Sequence, residues 1–163
     1  MQQFTFIRNT LHLKVKKSSL VVRIIMFSLA FSFFIFPVLG VIAGVLSGSG
    51  FHFGYLIGIG VFSLMGFYLL RLSLWNTYGE ETIEIFKDNI IYEADYGWFK
   101  DAKREIMITT PKYSFKSAGY EEDHEGVLLI TSEESQIESV VKMPTVMLEE
   151  LILILEKSKV ENY

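Results

Sequence analysis

The chain has 163 residues, half of them hydrophobic, with 14 Phe, 8 Tyr, 2 Trp, no Cys and a formal net charge of −4. Charge falls in blocks: residues 1–23 hold five basic side chains and no acidic one, residues 24–70 hold no Asp, Glu, Lys or Arg, and residues 71–163 carry ten basic and nineteen acidic ones, so the blocks sum as +5, 0 and −9. An uncharged run of forty-seven residues excludes a fully soluble domain, and the missing Cys excludes thiolate nucleophiles, disulfides and thiolate metal sites.

Residues 1–19 form a basic N-terminal segment. Ile7, Leu11, Leu13 and Val15 lie on one parity and Arg8, Thr10, His12, Lys14 and Lys16 on the other, the alternation of a half-buried strand. Such a strand could join a sheet formed later in the chain; a basic tail is the alternative reading.

Residues 20–75 predict a transmembrane helical hairpin. The spans, about 24–46 and 53–70, each fall within the usual range around the roughly 20 apolar residues needed to cross a bilayer. Ser47-Gly48-Ser49-Gly50-Phe51-His52 between them is a tight turn. A late start and the run Phe33-Phe34-Ile35-Phe36-Pro37 argue for retention rather than cleavage as a signal peptide. Lys14, Lys16, Lys17 and Arg23 flank the first span and Arg71 closes the second, while the turn has no Lys or Arg, so both termini are expected in the cytoplasm. Tyr68, Trp75 and Tyr78 suit an aromatic belt at the inner membrane interface. Gly40 and Gly44, and likewise Gly54 and Gly58 with Gly66 further along the same face, are spaced for helix packing, either within the hairpin or against a second copy or a partner helix. Neither span contains an ionisable residue, which argues against a transporter or channel built from the hairpin alone.

Residues 76–163 read as a β domain closed by a helix. Thr82–Lys87 and Asn89–Ala94 predict a hairpin turning at Asp88-Asn89. Further strands are expected at Trp98–Phe99 running irregularly into Arg104–Ile108, then at Lys112–Ser117, Gly126–Thr131 and Gln136–Lys142, with turn-rich connections. Pro144-Thr145 offers a helix start, with early Glu149 and Glu150 and late Lys157 and Lys159 suiting the dipole of a helix over 145–158.

Six or seven short antiparallel strands and one apolar terminal helix resemble the pleckstrin-homology-like (PH-like) fold. Coupled to a two-span hairpin, the arrangement is similar to small bacterial membrane proteins with a cytoplasmic PH-like domain. The residues carrying the resemblance are Trp75-Asn76-Thr77-Tyr78-Gly79-Glu80-Glu81-Thr82-Ile83-Glu84-Ile85, Asp88-Asn89-Ile90-Ile91-Tyr92, Tyr96-Gly97-Trp98-Phe99 and the terminal helix. In order of elements the chain also resembles photosystem I assembly factors. The broader family implies an interaction module with no catalytic residues to carry over, and a fold that elsewhere takes lipids, peptides or proteins.

Chemistry-bearing motifs are sparse. His12, His52 and His124 share no close spacing, and no metalloprotease helix, phosphate loop or nucleophile elbow is present. Tyr120-Glu121-Glu122-Asp123-His124-Glu125 reads as a solvated loop rather than a cation site, because consecutive residues do not converge on one point. Glu80, Glu81 and Glu84 read as an exposed start to a strand. Lys14, Lys16 and Lys17, and Lys100, Lys103 and Arg104 beside Trp98 and Phe99, are the candidate contacts for anionic lipid or another anionic ligand. A water-facing block at −9 argues against nucleic acid. The expectation is an α+β membrane protein of a bacterial inner membrane, a non-enzymatic interaction or assembly module without catalytic, cofactor or metal residues. Its partners would be membrane lipids and a membrane or cytoplasmic protein. The alternatives are an anionic-lipid sensor and an accessory subunit of a larger complex.

Overall fold

A computed structural model describes residues 3–108, 110–119, 122, 124–132 and 135–161. These residues form two compact units, residues 17–77 and a second unit in which residues 1–16 and 78–163 come together.

The first unit is a helical hairpin. Helix α1 spans Leu20–Gly44, continues as a π-helical turn over Val45–Ser49, and is followed by α2, Phe53–Tyr78. Ser19 caps α1 by accepting Val22 N–H through its hydroxyl at 3.4 Å, and Pro37 is carried inside the helix. Gly48, with φ +85°, supplies the left-handed conformation that ends the helical run. At 25 and 26 residues the two helices measure about 38 Å each, long and apolar enough to cross a hydrocarbon layer of about 30 Å. Their apolar side chains face outward around much of the circumference, among them Phe36, Leu46, Phe53 and Leu64. Helix α2 outruns the expected span 53–70 by two turns, so Tyr68, Arg71, Trp75 and Tyr78 all lie on it. The helices meet where Gly66 packs on Phe33 and Phe34, and where Gly44 faces Tyr55. Phe33 and Phe62 add a tilted ring contact with centroids 5.8 Å apart.

The other unit holds two antiparallel sheets and a helix. In the first sheet the order is β1 (Phe4–Ile7), β2 (Thr10–Lys14), β3 (Glu80–Ile85), β4 (Asn89–Asp95) and β5 (Lys100–Met107). The N-terminal segment thus supplies two strands where parity shows one, because Arg8 and Asn9 adopt φ +47° and +67° and reverse the chain. Strand β2 then pairs with β3 from Lys14↔Glu80 to Thr10↔Glu84, although the whole hairpin lies between them in sequence. The β3–β4 bend falls at Lys87-Asp88, one residue before the expected turn, with Phe86 N–H donating to Asn89 O at 2.9 Å.

The second sheet is β6 (Lys112–Ser117), β7 (Glu125–Thr131) and β8 (Gln136–Glu138), with the two-residue β9 (Met143–Pro144) also on β7. Val127 and Leu128 are both buried, marking β7 as covered on both faces. Helix α3, Thr145–Glu161, packs on β6, β7 and β9. Leu148, Leu151 and Leu155 recur at helical spacing and are fully buried, and a Cβ on Gly126 of β7 would meet Leu148 at 3.0 Å. Leu11, Leu13, Ile83, Ile90, Leu128 and Ile130 give the sheets their buried faces.

Candidate functional site

An exposed sheet edge is a template for another chain, and most of the edges here are blunted. Strand β1 has four residues and β8 three. Strand β5 is highly charged and breaks register between Tyr92 and Ala94 of its neighbour β4, a bulge in which Ala102 takes φ +56° and donates its N–H to Asp101 Oδ1 at 2.7 Å. Strand β6 differs. Its six residues pair in unbroken register with β7 on one side, and among the described residues no strand pairs with the other.

Beside that edge lies an open groove of about 530 Å³ lined by Tyr113, Ser114 and Phe115 of β6 and by Glu149, Ile152 and Leu153 of α3. Period-two alternation turns Tyr113 and Phe115 to the helix, while Lys116 on the other face pairs with Glu138 at 3.2 Å. Positions 149, 152 and 153 share one face of α3. Leu153 is 67% exposed, so the groove presents apolar surface to a ligand rather than burying it, with one carboxylate at its rim.

A second cluster is internal. Glu81 is fully buried on β3; its Oε1 accepts the Tyr92 hydroxyl at 2.6 Å and Val140 N–H at 2.7 Å, and its Oε2 accepts Val141 N–H at 3.2 Å. One carboxylate therefore ties β3 and β4 of the first sheet to the segment after β8 of the second. Burial pushes the Glu81 carboxyl above its ordinary range, against the three donors, which act to lower it. Burial and the neighbouring carboxylate likewise push the Tyr92 phenol up. Glu80 and Glu84 lie partly exposed, but Glu81 corrects the expectation that all three begin an exposed strand. It shares the parity of Ile83 and Ile85, a signal already present in the sequence, and inward parity wins because donors wait inside.

The basic residues singled out in the sequence do not gather into one patch. Lys14, Glu80, Asp95 and Lys100 occupy one row across β2 to β5, so acidic residues separate the two lysines. Glu80 Oε1 accepts from His12 Nδ1 at 2.8 Å and Glu80 Oε2 lies 3.6 Å from Lys14 Nζ, while Lys100 donates to Glu93 at 2.7 Å. Lys103 sits in the β5 bulge and Arg104 opposite Tyr92. Lys16 and Lys17 follow β2 in the segment before α1. Of the spaced glycines Gly44 meets the facing helix, as does Gly66 further along α2; Gly40, Gly54 and Gly58 open onto free space. In the acidic loop, Tyr120, Glu121 and Asp123 lie outside the described residues, and among those described no group of three His, Asp or Glu converges as a metal site.

No protein-family model, curated protein or solved structure matches the chain.

Proposed function

We propose that the protein is a membrane-anchored, non-enzymatic docking module. In this reading α1 and α2 cross a bacterial inner membrane with both termini cytoplasmic, and the β unit is a PH-like domain. Two antiparallel sheets with a C-terminal helix against the second, and basic residues at both membrane-proximal helix ends, support it. The observation that carries it is the regular, one-sided edge of β6 beside the apolar groove on α3. An extended segment of a membrane or cytoplasmic protein adds to β6 as a further strand, with backbone hydrogen bonds giving affinity and alternate side chains giving selection. Apolar side chains of that segment fit between Tyr113, Phe115, Ile152 and Leu153, and a Lys or Arg fits Glu149.

A photo-crosslinker at Leu153 tests this in native membranes. A discrete protein is expected to cross-link there, and not from Met107 on the bulged β5, whose side chain is 84% exposed. Leu153→Asp should abolish the complex while Met107→Asp leaves it intact. A complex indifferent to Leu153→Asp, or turnover by the purified protein lost on one polar substitution, overturns the proposal.

A further inference from the structure

The turn between β4 and β5 is seated on the last residue of α2. Asp95 Oδ1 accepts Gly97 N–H at 2.7 Å and Tyr96 N–H donates to Phe99 O at 2.9 Å, so Gly97 and Trp98 are the central residues of a tight hairpin turn. Gly97 takes φ +84°, and a Cβ there would stand 2.7 Å from Tyr78 Cβ. Glycine is required twice over at this point, by the backbone and by the contact. The Tyr96 and Phe99 rings stack with centroids 4.9 Å apart and planes 12° from parallel, which braces the base of the turn. Trp98 is left at the tip, 61% exposed.

A second segment converges on the same point from the other direction. Val15 N–H donates to Gly79 O at 3.0 Å, so Lys16 leaves β2 beside the first residue after α2. Lys100 opens β5 directly after the turn. Tyr78, Gly79, Lys16 and residues 96–100 all belong to one compact unit. An exposed indole and a stacked aromatic pair therefore belong to the turn that packs on Tyr78, the residue at which an apolar helix of spanning length ends, while Lys100 beside them is held by Glu93 at 2.7 Å. An exposed indole in such a place suits the lipid–water interface, where amphipathic rings reside.

We propose that the turn 96–99 is a membrane contact, with Trp98 in the headgroup layer of the bilayer that α2 crosses. The proposal rests on the spanning reading of α2, and the occupant of the turn is lipid rather than a protein partner, because the turn packs on Tyr78, the last residue of that apolar helix. Trp98 thus adds a non-covalent foothold for the β unit beside its covalent connections.

The chain has two tryptophans, Trp75 and Trp98, and no cysteine, which makes the test direct. The full chain is reconstituted in phosphatidylcholine/phosphatidylglycerol vesicles carrying lipids brominated near the headgroup end of the chain. In Trp75→Phe, emission comes from Trp98 alone; in Trp98→Phe, from Trp75 on α2. Quenching of both, to comparable extent, is the expected result. Quenching of Trp75 without Trp98 overturns the proposal and leaves the spanning reading standing, whereas quenching of neither overturns both. Should a tryptophan variant misfold, nitroxide labels on Trp98→Cys and, separately, Met107→Cys supply a second measurement. Oxygen accessibility above that to a water-soluble nickel chelate is expected at 98 and the reverse at 107; aqueous behaviour at 98 overturns the proposal.

Discussion

Glu81 is held by three donors in a place where its charge is poorly solvated, and its removal should be felt at once. Glu81→Ala leaves Val140 and Val141 N–H without an acceptor, a loss of about 2–4 kcal/mol that urea unfolding of the detergent-solubilised protein should register. Tyr92→Phe should cost about 1 kcal/mol, and the double variant less than the sum, because the two side chains share one hydrogen bond. The pH dependence has a definite sign. Since the folded carboxyl lies above its ordinary 4.5, the folded state holds that proton more tightly than the unfolded chain. Its contribution is complete below the unfolded value and fades as pH rises through the elevated one, and Glu81→Gln should flatten that part of the stability profile. Residue type hid this site from a reading of the sequence: parity placed Glu81 with Ile83 and Ile85, but only the segment after β8, far along the chain, supplies the donors that make an inward carboxylate tolerable.

Among the elements, the strands were the most legible. Lys112–Ser117 is met in the sequence at its observed bounds because alternation and flanking turn residues agree there. The division into two sheets was not legible, since the break after β5 depends on which strands pair rather than on local pattern. Strand β1 was missed because the signal that separates it from β2 is a turn of Arg8 and Asn9, a pair without glycine in which Arg8 adopts a costly positive φ. Arg8→Asn combined with Asn9→Gly should relieve that turn and raise stability by about 1 kcal/mol, seen as a higher melting temperature of the β-sheet signal. In the hairpin, glycine spacing names faces but not their rotation, and helices apolar around most of their circumference leave that phase unspecified. Gly66→Leu should therefore lower the thermal stability of the helical signal, by collision with Phe34, while Gly40→Leu, Gly54→Leu and Gly58→Leu leave it unchanged.

Taken whole, the chain inserts a helical hairpin between two strands that are hydrogen-bonded neighbours. Ser18 N–H donates to Asn76 O at 3.4 Å, so the inserted unit returns the chain close to its starting point and disturbs the sheet little. Replacing residues 16–78 by Asn-Gly should join Val15 to Gly79 as an ordinary two-residue hairpin and give a folded, water-soluble β unit, checked by circular dichroism and dispersed amide resonances. Deleting residues 3–14 instead removes buried Phe4, Leu11 and Leu13 and should leave that unit unfolded. The same interruption gives the protein an order of assembly. Strands β1 and β2 are synthesised first, yet their partner β3 follows only after residues 15–79, a wait of roughly 3 to 13 s at about 5–20 residues per second. During that interval Leu11 and Leu13 have no sheet to enter. Closure of the β unit thus reports that both helices have been made and that the chain has returned to β2, and a chain in which that return fails is left with β2 lacking its partner strand and open to proteolysis.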